Sequence, residues 1–269
     1  MKRINTDVLV IGSGLAGMAA AYEAKASGAD VIVVEKMKYF GGNSALAGGG
    51  FSSWDSRLHL REKNGLGEDS AEQQAADTIR SGRGHCVEKM VHVMAQEAPA
   101  AIDWMLDRGV TFKDSVMKLG GFTAYRAYHT TVTGAIMMKN VRESVLAAGV
   151  ELLNECEVTA LTYKDGKVKG ALCRLKGEET EFCAEKGVIL ASGGFAGDVA
   201  FRQRFNPELT AAYNCSNHKG ATGEVLQMAM DLGANVLNMQ YVQLFPSADP
   251  VSGAVDKWAL TSYDVPGFG

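Results

Sequence analysis

The sequence predicts an α/β fold built on a sheet of buried strands, with a short antiparallel meander set into it. Three observations predict this. Two apolar runs, Val8-Leu9-Val10-Ile11 and Val31-Ile32-Val33-Val34, flank a glycine turn and a stretch of small helix formers. Between about 150 and 185 several short strand-like segments follow one another, with the hairpin signal Lys164-Asp165-Gly166-Lys167 among them. A third apolar run, Gly187-Val188-Ile189-Leu190, ends in the small residues Ala191-Ser192-Gly193-Gly194, as a buried strand does where a ligand or another backbone comes close.

The first of these stretches organises the chain. After the strand comes Gly12-Ser13-Gly14-Leu15-Ala16-Gly17, then Met18-Ala19-Ala20-Ala21, and the second strand closes on Glu35. In a turn of this kind Gly12 permits the tight exit from the strand, Gly14 lets a pyrophosphate approach the backbone, and Gly17 lets the helix pack closely. The phosphates would sit on the N–H groups and positive dipole of the helix N-terminus. Glu35 stands 23 residues after Gly12, the spacing of an acid that accepts from a ribose hydroxyl and repels a 2′-phosphate. Strand, turn, helix and acid together point to dinucleotide binding. No second such turn follows, so one dinucleotide is held and its electron-exchange partner comes and goes.

The elements after Glu35 follow in order. Lys36 is succeeded by Phe40-Gly41-Gly42-Asn43-Ser44-Ala45-Leu46-Ala47-Gly48-Gly49-Gly50, too rich in glycine for a helix or strand interior and expected to be a loop lying against a ligand. Residues 70–108 read as two helices broken near Gly82-Arg83-Gly84. Val87, Met90, Val91, Met94, Ala98, Ile102, Met105 and Leu106 give the second one an apolar face. A polar stretch, Arg126 to Gly134, leads to a helix over 135–148 that Gly149 ends. Strands are expected at 150–153, 157–163 and 168–175, then at 187–190. Asn217-His218-Lys219-Gly220-Ala221-Thr222-Gly223-Glu224 opens a helix over 225–232 with Thr222 as N-cap, and 236–244 reads as a last strand.

Composition narrows the function. The 269 residues are 46% hydrophobic, enough for one large core or a core with an appendage. A net charge of −4 with no basic run lacks the footprint of a nucleic-acid binder. No run of apolar residues is long enough for a membrane span, and the first strand begins within a few residues of Met1, so a soluble cytoplasmic protein is the default expectation. Cys86, Cys156, Cys173, Cys183 and Cys215 form no CxxC pair and are expected to be reduced thiols. No histidine pair has metal-site spacing, so no metal is expected.

Taken together, four motifs resemble the FAD-dependent flavoprotein family of fumarate reductases and succinate dehydrogenases, above all its soluble branch of flavocytochrome c fumarate reductases, urocanate reductases and 3-ketosteroid dehydrogenases. They are Gly12 to Gly17 with Glu35-Lys36; Gly41-Gly42-Asn43-Ser44 with Ala47-Gly48-Gly49-Gly50; Ala191-Ser192-Gly193-Gly194-Phe195; and Asn217 to Glu224. The resemblance implies a Rossmann-like FAD-binding domain over 1–245 with the inserted β-meander, and the beginning of a substrate-capping domain over 246–269. It implies FAD contacts from Gly12, Gly14, Ala16, Gly17, Glu35, Lys36, Gly42, Asn43, Ser44, Gly49, Gly50, Val158, Ala191, Gly193 and Glu224. Membrane-bound relatives carry a flavin-linking histidine where Asn43 stands, so the FAD here is expected to be non-covalent.

The implied chemistry is hydride transfer between flavin N5 and a C–C bond beside a carboxylate or carbonyl, with a small-molecule substrate and an exchangeable electron donor as partners. Departures from the family pattern bear on it. Phe245 replaces a histidine, and in the stretch Leu260-Thr261-Ser262 to Val265 only Thr261 is kept, which disfavours a dicarboxylate such as fumarate. The family's proton-donating arginine would lie past Gly269, so a second chain is a candidate supplier of the remaining half, and these residues alone are not expected to turn over fumarate. No residue is assigned a catalytic role. Thr261, His129 and Arg126 are substrate-side candidates, the last two weighed against structural roles. Two other readings stand beside this one: a non-catalytic FAD module, and a nicotinamide-dependent dehydrogenase, which the glycine-rich stretch after Glu35 disfavours.

Overall fold

The computed structural model describes residues 1–244. In chain order its elements are β1 (Lys2–Ile11), α1 (Leu15–Ala26), β2 (Val31–Val34), α2 (Gly42–Leu46), β3 (Gly50–Ser52), α3 (Leu60–Lys63), α4 (Ala71–Ser81), α5 (Glu88–Asp107), β4 (Phe112–Met117), β5 (Ala127–Thr130), α6 (Gly134–Ala147), β6 (Glu151–Leu153), β7 (Cys156–Lys164), β8 (Lys167–Leu175), β9 (Glu178–Leu190), α7 (Val199–Phe205) and α8 (Glu224–Asp231). They fall into two compact units, one of Met1–Leu46 with residues 138–244, the other of Ala47–Met137.

The first unit is built on a single six-stranded sheet in the order β6-β2-β1-β9-β8-β7. β2 is apolar at all four positions because it is covered on both faces and sits between β6 and β1, parallel to both. β9 is the joint of the sheet. Its first half pairs antiparallel with β8 through Gly170↔Cys183 to Leu175↔Glu178, and from Thr180 to its end it runs parallel to β1, from Lys2↔Thr180 to Ile11↔Leu190. The run 187–190 is therefore not a separate strand. Nor does 150–153 belong to the meander: β6 pairs with β2 at the opposite edge. The hairpin between β7 and β8 turns at Asp165 and Gly166, both at positive φ, as the Asp-Gly signal requires. Leu9, Ile11, Val34, Val158 and Phe182 sit in the core on this sheet, with Val225 of α8 packed among them.

Three other expectations are corrected. Residues 42–46 form a short helix, α2, rather than a loop, with the glycines at its approach: Gly41 and Gly42 take positive φ, after which one helical turn follows without strain. The N-cap of α8 is Gly223, and Thr222 lies one residue too early. Residues 236–244 form no strand. Their alternation suits a strand, but a strand exists only where a neighbour supplies its hydrogen bonds, and the sheet ends at β6 on one side and at β7 on the other with 236–244 paired to neither.

In the second unit β3, β5 and β4 form a three-stranded antiparallel sheet, with Gly50 opposite His129 and Val116 opposite Tyr128. Ser70 caps α4 by accepting from the Gln73 N–H. The buried face of α5 is Val91, Ala95, Ala98, Ile102 and Met105, rotated from the expected one: Val87, Met90 and Met94 are exposed, Met90 by 69%. Small residues decide the rotation, since Ala75 of α4 and Ala95 of α5 let the two helices share one cluster that the longer methionines would hold apart.

Candidate functional site: a groove at the glycine turn

β1 ends at Ile11 and α1 starts at Leu15, so Gly12, Ser13 and Gly14 make the whole connection. Its glycines have different jobs. Gly12 has φ +106°, and a Cβ there would lie 2.3 Å from the Ala191 carbonyl oxygen. A Cβ on Gly17 would lie 2.0 Å from the Gly12 oxygen. Both are demanded by the fold itself. A Cβ on Gly14 would meet nothing nearer than Ser44 Oγ at 3.6 Å, so its missing side chain leaves space over the start of α1. The first bond within that helix runs from Met18 N–H to Gly14 O, and the N–H groups before it have no acceptor inside the helix. Leu15 N–H donates to Ser44 Oγ, 3.0 Å away.

Glu35 is 8% exposed at the end of β2. Its Oε2 accepts from Ser13 Oγ at 2.6 Å and Ser13 N–H at 3.2 Å, and its Oε1 from Met37 N–H at 2.9 Å. A carboxylate has about four acceptor sites, which leaves capacity for a ligand hydroxyl. Around the turn and this acid runs a groove lined by residues 11–16, 34–37, 42–44, 156–158, 191–193 and six residues of 218–225.

The sequence profile described as the FAD binding domain matches residues 7–256. The chain belongs to the FAD binding domain family. It is 36% identical over 265 residues to the acrylate reductase flavoprotein subunit of Shewanella woodyi, covering 92% of this chain and 50% of that protein. With the urocanate reductase of Eggerthella lenta it shares 32% identity over 267 residues, covering 93% and 42%. Among solved structures, the open conformation of a flavocytochrome c3 fumarate reductase superimposes with a TM-score of 0.83 at 28% identity, over 89% of this chain and 42% of that one. The chain thus spans about half the length of the curated relatives it matches. Its cofactor is FAD, and the groove fits it: Gly14 leaves room for a pyrophosphate, the N-terminal N–H groups of α1 border that room, and Glu35 keeps acceptor capacity for a ribose.

The groove collects Gly12, Gly14, Ala16, Glu35, Lys36, Gly42, Asn43, Ser44, Val158, Ala191, Gly193 and Glu224. Gly17 lies beneath the turn, and Gly49 and Gly50 belong to the other unit. Lys36 Nζ donates to Thr222 Oγ1 and, at 2.8 Å, to Glu224 Oε2, tying the end of β2 to the start of α8. Burial opposes ionisation of Glu224, but hydrogen bonds from Lys36, Thr222 and its own backbone outweigh burial and hold its carboxyl below the usual range. The Asn43 amide donates to Asn217 Oδ1 and its oxygen accepts from His218 N–H, joining α2 to the 217–218 turn.

Sequence reasoning missed Ser13, His218, Cys156 and Glu157 as lining residues. The first two lie inside motifs it quoted, whereas the others are marked by nothing but their adjacency to Val158. His218 Nδ1 accepts from Gly220 N–H at 3.1 Å, which puts the proton of the neutral ring on Nε2. Cys156 is buried beside Cys173; a hydrogen bond between them lowers the first thiol and raises the second. All five cysteines are free thiols.

Of the substrate-side candidates, Arg126 and His129 belong to the second unit. Arg126 is 1% exposed and doubly bonded to Asp69, at 2.8 Å through both Nε and Nη2, with Nη1 3.0 Å from Asp77. All three guanidinium nitrogens are thus engaged by carboxylates of its own unit. His129, on β5, is held below the ordinary imidazole range by burial and by Lys113. Thr261 lies outside the described residues, as do Phe245 and Ser262. Among the described residues no helix is long and apolar enough to cross a membrane, and no three His, Cys, Asp or Glu side chains are grouped to hold a metal.

Proposed function

We propose that this chain is the FAD-binding portion of an oxidoreductase of the fumarate-reductase type, acting on a C–C bond next to a carboxylate or carbonyl. The observation that carries the reading is the open space at Gly14, bordered by the α1 N-terminus and faced by Glu35. Relatives named for acrylate and urocanate reduction support the substrate class: each name denotes an unsaturated acid. Bound FAD supplies the hydride-transfer chemistry. The chain's own residues bind and orient it: α1 meets the pyrophosphate, Glu35 the ribose, and Asn43 and Ser44 hold the segment beside them. Asn43 also makes the attachment non-covalent, since an amide cannot form the histidyl link. Within residues 1–245, read as the FAD-binding domain, the groove is contributed by the unit of Met1–Leu46 with residues 138–244, and a small-molecule substrate and an electron donor complete the enzyme.

A second reading, a non-catalytic FAD module, is favoured by one feature. Each ionisable group lining the groove is already held: Glu35 by Ser13 and Met37, Lys36 by Glu224, Glu157 by Arg174, His218 by Gly220, Cys156 by Cys173. General acid catalysis is typically worth about 10²–10⁴ in rate, and apart from His218, whose Nε2–H is not taken up by the bond to Gly220, these groups are not disposed to give it. Reducing the FAD-loaded protein with dithionite under anaerobic conditions and adding fumarate, acrylate or urocanate separates the readings. Return of the oxidised flavin spectrum supports the oxidoreductase; return with air alone supports the module. For fumarate the expected outcome is no return.

A further inference from the structure

We propose that Ser13 is a positioning residue of the FAD groove, whose buried hydroxyl clamps the Glu35 carboxylate to the backbone of Gly41 and so fixes the ribose side and the 41–46 side in one arrangement. The inference rests on the reading of the groove as the FAD site. The glycine-turn motif leaves the Ser13 position open to any residue, so nothing in the motif calls for a hydroxyl there. In the structure Ser13 is completely buried, and a buried hydroxyl is satisfied or costly. This one is satisfied twice. It donates to Glu35 Oε2 at 2.6 Å, the length of a charge-assisted O–H···O⁻ bond, and it accepts from Gly41 N–H at 3.0 Å. The Ser13 N–H reaches the same carboxylate oxygen.

Gly41 and Gly42, at φ +116° and +47°, form a corner with no side chains to hold it. The bond to Ser13 is therefore a principal anchor of the approach to α2. One turn later the pattern runs the other way: Ser44 Oγ, on α2, accepts from Leu15 N–H of the glycine turn. Each segment thus lends a serine oxygen to a backbone N–H of the other. Ser44 faces the phosphate side of the clasp and Ser13 the ribose side, so a ligand that uses Glu35 also meets a preset 41–46 segment.

The test uses the whole chain and four variants, Ser13→Ala, Ser13→Cys, Glu35→Gln and the S13A/E35Q pair. Affinities for FAD and for ADP are measured by calorimetric titration, with thermal melting of the cofactor-free proteins alongside. S13A should weaken both ligands by about tenfold or more, the loss of one well-made charge-assisted bond. S13C fills the same space with a weak donor and should behave like S13A. If Ser13 acts through Glu35, its removal in the E35Q background should cost less than about threefold, because residues in one network do not add. Wild-type affinity in S13A, wild-type affinity in S13C, or full additivity with E35Q would each overturn the proposal; if S13A does not fold, S13C decides. Gly14→Val is the control: unchanged FAD affinity there removes the groove as the FAD site, whereas loss there with an unaffected S13A removes the clasp alone.

Discussion

Replacing the three glycines of the turn one at a time should separate folding from cofactor binding within a single motif. At Gly17 an alanine Cβ would sit 2.0 Å from a backbone oxygen that α1 cannot move away from without leaving the sheet. At Gly12 the collision is with the Ala191 carbonyl at 2.3 Å, and φ of +106° is foreign to an L side chain. Overpacking costs typically about 1–3 kcal/mol, and a residue held in a disfavoured backbone region about 1–3 kcal/mol more. G17A should therefore lose about 1–3 kcal/mol and G12A about 2–6 kcal/mol, against a total stability of about 5–15 kcal/mol. Gly14 differs, with φ −64° and ψ 175°, a conformation any residue adopts. Gly14→Ala should keep or raise stability by about 0.4–1 kcal/mol through the unfolded chain, and Gly14→Val should fold yet fail to bind FAD, because its branches enter the space left for the pyrophosphate. Urea unfolding of the cofactor-free proteins gives the first quantity, and quenching of FAD fluorescence on titration the second. A folded Gly14→Val that binds FAD like the parent, or a G17A as stable as the parent, would refute the division of labour.

Three further outcomes are expected. Arg126→Met should destabilise the chain by about 3–5 kcal/mol, since it strands two buried carboxylates; normal stability in a urea melt would reopen a substrate-side role. Burial opposes ionisation of Asp77, but hydrogen bonds from Thr123 and Arg80, with the charge of Arg126, outweigh burial and hold its carboxyl below the usual range. Its contribution is therefore fully present above the unfolded value of about 3.9 and lost as pH falls through the lower folded value, so Asp77→Asn should be weaker at pH 7 and flatter in its urea midpoints below pH 4; a parallel decline would contradict the assignment. Finally, acid or heat should release FAD into the supernatant, Asn43 offering no covalent link, and yellow colour retained in the pellet would disprove it.

The sequence by itself determined the parts whose signals are local. The strand, glycine turn, helix and Glu35 are read from spacing alone because each residue's task is set by its neighbours in the chain, and the Asp165-Gly166 hairpin because only such residues take two successive positive φ values. The family motifs extended that reading to residues 41–50, 191–195 and 217–224. What the tertiary structure decided is whatever depends on a partner distant in sequence. Residues 236–244 alternate like a strand but find no edge; 187–190 proves to be the end of a thirteen-residue strand because β1 lies beside it. Arg126 reads as a free cation until Asp77 closes on it from α4 and Asp69 from just ahead of that helix's N-cap. Ser13 is silent in the motif, and its hydroxyl gains meaning because Glu35 and Gly41, 22 and 28 residues further on, meet there. Backbone conformation and periodicity are properties of the chain, whereas a buried polar group is explained only by the groups that satisfy it.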